Sequence, residues 1–319
     1  MLLMIGCKDG MARNTTDALR LFMEKVDPQL ERSLDELNER VNALEESGDR
    51  KELLETLVDR AGILDLMGYR TSAVDDLETA VAISEDSGIS GVDEGTLAKI
   101  YFLMASAVAG QGGDPIEQYD EAARHLNGLR SNSPRFDRRE SVGMCLTAAA
   151  DLIDYGHPEE AEPFIRKGLQ LTEATDTWSA NRRLEILNTA VDAYESMGGG
   201  DTIGTCSEAI EIGASLMERG ALDDVEQLVS ALAMRAAAES DKGLDQNAAM
   251  DLEAAVGILE GMLENHTLRD TGPLMDLHRD LAGSLMRLGR VEEAERHLIR
   301  SMHIEIGSGA SSDLRGQQI

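Results

Sequence analysis

Glycines recur at a nearly constant interval along this chain, and that interval limits its possible folds more than any other feature. Gly68, Gly112, Gly156, Gly199, Gly243 and Gly289 are separated by 44, 44, 43, 44 and 46 residues. One further step back reaches Asp27 and Pro28, also a turn pair. A fixed period of roughly 20–50 residues is the mark of a repeat array, in which each unit buries its apolar face on its neighbours. Only 3% of the residues are aromatic. One large globular core is hard to build from so few, whereas stacked small units need no such core.

The residues around each glycine repeat too. Five positions after it stand Ala73, Ala161, Ala248 and Ala294. Nine after it stand Leu77, Ile165, Leu252 and Leu298, and twelve after it Ala80, Gly168, Ala255 and Ser301. Seven before it stand Ala61, Ala105, Ala149 and Ala282. The copy after Gly112 is out of step by about one residue and that after Gly199 by several. Small residues at these places let two helices approach, and larger ones fill the seam. The last copy is the clearest. Leu277, Leu281, Leu285 and Leu288 make one apolar stripe at helical spacing, and Ala294, Leu298 and Met302 make the facing one. The spacing predicts two amphipathic helices joined by a tight turn at Gly289.

The stretches LHRDLAGSLMRLGRVEEAERHL and CLTAAADLIDYGHPEEAEPFIRKGL carry a pattern that resembles the tetratricopeptide repeat family. The resemblance covers roughly residues 51–306 and implies an all-α, right-handed superhelical solenoid of antiparallel helix hairpins, with six to seven repeats. The period departs from the family norm of about 34 residues. The extra residues fall between hairpins, as in SEDSGISGVDE (84–94) and SNSPRFD (131–137). The hairpins are expected at about 51–86, 94–130, 137–174, 178–219, 222–265 and 272–306. A divergent N-terminal hairpin fills 14–50, residues 1–13 form a flexible N-terminus, and 307–319 a disordered tail. No linker divides the array. The stripe Leu30, Leu34, Leu37, Val41 and Leu44 could pair with a second copy through 28–47; packing on the next hairpin is the competing reading. MLLMIGCKDG lacks the layout of a signal peptide, and Met1 and Met11 are both candidate starts.

Charge narrows the partners. Thirty basic against sixty acidic residues leave a net charge of −30. Such a surface repels phosphate backbones, so no nucleic acid is expected. No apolar run reaches the roughly 18–20 residues of a membrane span. A protein or peptide partner, basic or neutral, fits the field. Adaptation to salt explains the same acidity without any partner.

The chemistry-bearing residues do not assemble. Cys7, Cys145 and Cys206 are far apart and odd in number, which signals neither disulfides nor zinc and suits the reducing cytoplasm. Cys145 lies on an apolar stripe and reads as a buried small residue. His278 and His297 fall on opposite helices of the last hairpin and can approach, but two such ligands without a carboxylate at helical spacing do not make a metal site. GGGD at 198–201 lacks the ending of a phosphate loop and reads as a turn. Acidic pairs such as Asp75-Asp76, Asp223-Asp224 and Glu292-Glu293 open or line helices, where they favour the helix dipole. No catalytic group, cofactor or metal is expected.

In the resembling family, the first helix of each hairpin lines a concave face that holds an extended peptide. Register from the turn glycines gives the inward candidates Asp65, Lys99, Phe102, Ser106, Asp154, Asn188, Asp192, Arg279 and Arg287. At each, a solvated helix residue is the competing reading. The family's best-known run of Lys, Asn and Arg, which clamps a terminal carboxylate, is absent. The expected function is a non-enzymatic scaffold that binds a protein segment on the concave face. A sensor for a small molecule or peptide inside the superhelix is the alternative.

Overall fold

The computed structural model describes residues 28–85, 92–128 and 137–315. Among these, thirteen α-helices follow one another and no strand occurs. They form two compact units, Met1–Phe136 and Asp137–Ile319. The first holds α1 (Pro28–Ser47), α2 (Arg50–Leu66), α3 (Arg70–Ser84), α4 (Glu94–Gly110) and α5 (Ile116–Gly128). The second holds α6 (Arg138–Asp154), α7 (Glu162–Leu171), α8 (Thr177–Met197), α9 (Thr202–Glu218), α10 (Val225–Asp241), α11 (Asp245–Glu264), α12 (Gly272–Arg287) and α13 (Val291–Arg315). The unit boundary falls within SNSPRFD, one of the long inserts between hairpins. Within each unit, consecutive helices pack on one another, and the first helices of some successive hairpins also meet: α2 with α4, α6 with α8 and α8 with α10.

All six expected hairpins are present, as α2–α3, α4–α5, α6–α7, α8–α9, α10–α11 and α12–α13. Every first helix ends in the same closure. Tyr69, Gly113, His157, Gly199, Leu244 and Arg290 each donate a backbone N–H to the carbonyl five residues earlier, at 2.7–3.1 Å. That closure needs a left-handed residue just before the donor, a conformation glycine reaches without strain. Five of the repeating glycines supply it, with φ from 72° to 86°. In the fourth hairpin Gly198 does so (φ 66°), not Gly199, and this one-residue shift accounts for part of the misfit of that copy. Three glycines in a row left the choice open, because any of them can adopt the angle.

The starts of the first helices repeat as well. Asp49, Asp93, Asp137, Asp176 and Asp224 each accept a backbone N–H of the first turn of α2, α4, α6, α8 and α10. These carboxylates satisfy orphan donors and sit at the positive end of the helix dipole. Asp176 is the most strongly held. It accepts from Ser179 N at 3.0 Å and Ser179 Oγ at 2.7 Å. These bonds, with Arg138 behind them, pull its carboxyl down to about 2. The folded value lies below the unfolded one, so this cap contributes stability above about pH 4 and loses it as pH falls toward 2. A carboxyl NMR titration is expected to place the midpoint near 2 in the native chain and higher in Ser179→Ala. A native midpoint close to 3.9, the free-chain value, would remove this account.

The small residues do what their spacing predicts. Ala61, Ala105, Ala149 and Ala282 before the turns, and Ala73, Ala161, Ala248 and Ala294 after them, are all 0–1% exposed. A methyl at each crossing lets the helix backbones close in, and the larger Leu77, Leu252 and Leu281 fill the space between crossings. Asp76 does not cap its helix. Arg60 of α2 grips it with two bonds of 2.7 and 2.6 Å across the hairpin, and also donates to Asn38 of α1. Four repeats on, Arg235 grips Asp251 in the same way, at 2.6 and 2.7 Å, and donates to Ser207 of α9.

The stripe of α1 lies against its own chain. Val41 is 2% exposed and joins Leu54, Leu57 and Ala61 in the core of the first unit, while Leu30 and Leu37 stay half-buried. The expected N-terminal helix before Asp27 lies outside the described residues, as does 316–319. Helix α13 runs on to Arg315, past Gly307 where the repeat pattern stops. Nothing in GSGASSDLR forbids that extension, since it contains no proline.

Candidate functional site

Of the nine inward candidates, Phe102 packs within its own hairpin and the other eight separate into two kinds. The larger group ties neighbouring repeats together. In the first unit, Ser106 Oγ of α4 donates to Asp65 Oδ2 of α2 at 3.2 Å. Lys99 of α4 reaches back to Asp59 of α2 at 3.9 Å. Phe102 turns toward its own hairpin and tilts on Tyr119 of α5, with ring centres 6.1 Å apart. In the second unit, Asn188 of α8 is buried and donates through Nδ2 to the carbonyl and side-chain oxygens of Gln227 of α10, each at 2.9 Å. Arg287 of α12 is held by Asp245 Oδ1 and Ser240 Oγ, with Ser284 Oγ at 3.0 Å. Apart from the local bond to Ser284, these bonds span 39–47 residues, about one repeat, so they are rungs between successive repeats. A neighbour was the part the register could not supply. Residues that face the next repeat and residues that face a ligand share the same helical phase.

The second kind remains on the surface. Asp154 of α6 and Asp192 of α8 are exposed. Partial desolvation, then the charges of Glu195 and Asp154, raise the Asp192 carboxyl above its usual range. Arg279 of α12 is exposed and pairs with Asp276 at 2.8 Å.

Arg279 and Arg287 do share a feature with each other. They line a groove between α10 and α12, made of two adjoining hollows of about 390 and 290 Å³ that have Ala233 and Asp280 in common. The groove exists because the sequence puts small side chains there. Ala233, Ala236 and Ala237 of α10 face Gly283 and Ser284 of α12, and nothing large fills the gap. One end is apolar, with Val229, Leu259, Leu268 and Leu277. The rim is acidic, with Glu226, Asp241, Asp270, Asp276 and Asp280. Burial, then the charge of Asp276, raises the Asp280 carboxyl, against the opposing pull of Arg279 and Arg287. Like charges gathered in this way favour an incoming cation. Sequence reasoning missed these carboxylates because acidic helix residues occur all along the chain. Only their convergence across two helices 40–50 positions apart singles them out. The first unit has its own hollow of about 460 Å³, lined by Tyr101, Met104, Glu117, Gln118, Asp120, Glu121 and Arg124.

Both described cysteines are buried, and two of the histidines pair. Burial pushes the Cys145 and Cys206 thiols up to about 12, so neither supplies a thiolate at neutral pH. His278 and His297 do meet. Their Nδ1 atoms stand 2.9 Å apart, and His278 Nε2 lies 3.0 Å from Glu260 Oε1. Among the described residues no group of three or more His, Cys, Asp or Glu can hold a metal ion. None of the described helices is long and apolar enough to cross a membrane.

No family model matches the chain, and no curated protein does. Solved structures similar to it include BtubC (BKLC) from P. vanneervenii, at 16% identity and TM-score 0.34, covering 89% of this chain and 93% of that one. A tetratricopeptide repeat protein from Parabacteroides merdae shares 14% identity at TM-score 0.35, over 86% and 93%. Ton1535 from Thermococcus onnurineus shares 16% at TM-score 0.37, over 82% and 84%. Within each unit the described fold is a run of paired helices, with one closure per hairpin turn and small residues at most of the crossings.

Proposed function

We propose that the chain is a non-enzymatic scaffold of the tetratricopeptide repeat kind, acting in the cytoplasm, and that the α10–α12 groove receives an extended protein segment carrying Arg or Lys. The groove's small-residue floor under a carboxylate rim is the observation that carries this reading. A segment laid along it buries a short apolar side chain near Leu277 and Val229. Its cation then reaches Asp276 and Asp280. Buried apolar contact supplies the affinity and the charges set register and approach rate. The net charge of −30 steers the same class of partner over longer distances.

The test is fluorescence anisotropy of the full chain with a set of short labelled peptides, alike except for Arg or Glu at one position. Arg peptides are expected to bind and Glu peptides to fail. The double variant Asp276→Asn/Asp280→Asn is expected to weaken binding by about tenfold or more, equal to ~1.4 kcal/mol. Equal binding of Arg and Glu peptides, or an unchanged double variant, would refute the groove reading. A second reading, a small-molecule sensor, draws on the hollow's size, which at about 390 Å³ falls in the range of small-ligand sites. A thermal-shift screen of cationic metabolites separates the two, since stabilisation by a free metabolite is expected only of the sensor.

A further inference from the structure

Behind the groove wall, α12 carries a contact that the scaffold reading does not use. His278 is 3% exposed and points away from the groove, between α11 and α13. From α11 it meets Glu260, whose carboxylate is also gripped by Arg300 of α13 at 2.7 and 2.6 Å. From α13 it meets His297. The charged groups facing His297 are Glu253 of α11 and Glu293 and Arg296 of α13. One row of contacts, Arg300–Glu260–His278–His297, thus joins three helices.

The proton positions in this row follow from its acceptors. A carboxylate only accepts, so His278 Nε2 carries the hydrogen that faces Glu260. Neutral His278 then has a bare Nδ1, and His297 must donate its Nδ1–H to it. One hydrogen fits between nitrogens 2.9 Å apart. An imidazolium donates from both nitrogens, so two imidazolium rings would bring two hydrogens and two positive charges into that gap.

We propose that the His278–His297 pair is a proton-sensitive lock, which fixes α12 between α11 and α13 at neutral pH and releases it when both rings become charged. The lock acts on the helix that bears Asp276, Leu277, Arg279 and Asp280, so acidification loosens the groove wall from behind. The inference stands without the groove reading, because it is read by stability and proton position, not by peptide binding.

The direction of the pH effect can be worked out. Burial, then the charge of His278, lowers the affinity of His297 for a proton in the folded chain. The unfolded chain binds the proton more readily, so this contribution is full above about pH 6.5 and is lost as pH falls below it. Glu260, held down chiefly by Arg300, gives way only below about pH 4.5. The carboxyls raised by burial, Glu185, Asp192, Glu239 and Asp280, act with the opposite sign and favour the folded state on acidification.

The experiment is thermal unfolding of the full chain at about pH 7.5 and 5.5, native and with His297→Gln, which keeps a donor for His278 but cannot become charged. The native Tm is expected to fall measurably on acidification, and the fall is expected to be largely lost in His297→Gln. An equal fall in both, or none in the native chain, overturns the lock. Imidazole ¹⁵N NMR of the native chain gives an independent reading. At about pH 7.5 it is expected to show bare Nδ1 on His278 and protonated Nδ1 on His297; two rings with bare Nδ1 atoms would refute the bond. Zn²⁺ that raises the native Tm but not that of His297→Gln would make the pair a metal site and overturn the proton reading.

Discussion

Asp251→Ala is expected to destabilise the second unit by about 3–5 kcal/mol, measured by urea unfolding at neutral pH. Its carboxylate accepts both Nε and Nη2 of Arg235 at 2.6 and 2.7 Å, and the two side chains are 22% and 11% exposed. Removing the acid leaves a guanidinium enclosed between α9, α10 and α11 with Ser207 Oγ to receive it and only the field of Glu239 to offset its charge. Most of the penalty is that stranded charge, not the lost attraction. The double variant Arg235→Met/Asp251→Leu removes both charges at similar volume and is therefore expected to recover most of the stability. A loss below about 1 kcal/mol for Asp251→Ala would show the pair to be solvated, as exposed pairs are. The equivalent pair Arg60–Asp76, at 19% and 11% exposure, predicts the same ordering in the first unit.

Leu281→Ala is expected to cost about 2–5 kcal/mol, whereas Leu288→Ala costs about 1 kcal/mol or less. Both belong to one apolar stripe of the last hairpin. Leu281 is fully enclosed, among Leu277, Leu285, Ala294 and the residues of α11, and its loss leaves a cavity. Leu288 is only half-buried beside the turn, where neighbours and water can close the gap. The comparison of the two urea midpoints checks this; equal losses would mean that the end of the hairpin packs as tightly as its middle.

The stripes and crossings were legible because they depend on local rules. A period near 44 fixes where turns fall, and alanine at a crossing needs no knowledge of which helix it meets. The candidate groove was less legible. Of the nine inward candidates, Ser106, Asp65, Lys99, Asn188 and Arg287 engage the adjacent repeat, because a helix in an array presents its flank to a neighbour at nearly the phase it presents to a ligand. Arg279 and Arg287 do line the groove, but the acidic rim around them had no sequence signal. In a chain with sixty acidic residues, four or five more carboxylates on helices carry no information until two helices place them together.

By itself the sequence determined the all-helical hairpin plan, the place of each turn to within a residue, and the acidic field. Those follow from φ, from side-chain size and from net charge, which are local or additive quantities. Tertiary structure alone decided that Gly198 closes the fourth turn, that Asp76 serves an arginine and not a cap, that Asp251 is gripped by another arginine, and that the alanines of α10 and Gly283 of α12 leave a groove. It also brought the Nδ1 atoms of His278 and His297, nineteen residues apart, to 2.9 Å. Each of these depends on which side chains meet across helices. That choice is made by packing density and by the cost of leaving a buried polar group without a partner, and both are properties of the assembled fold.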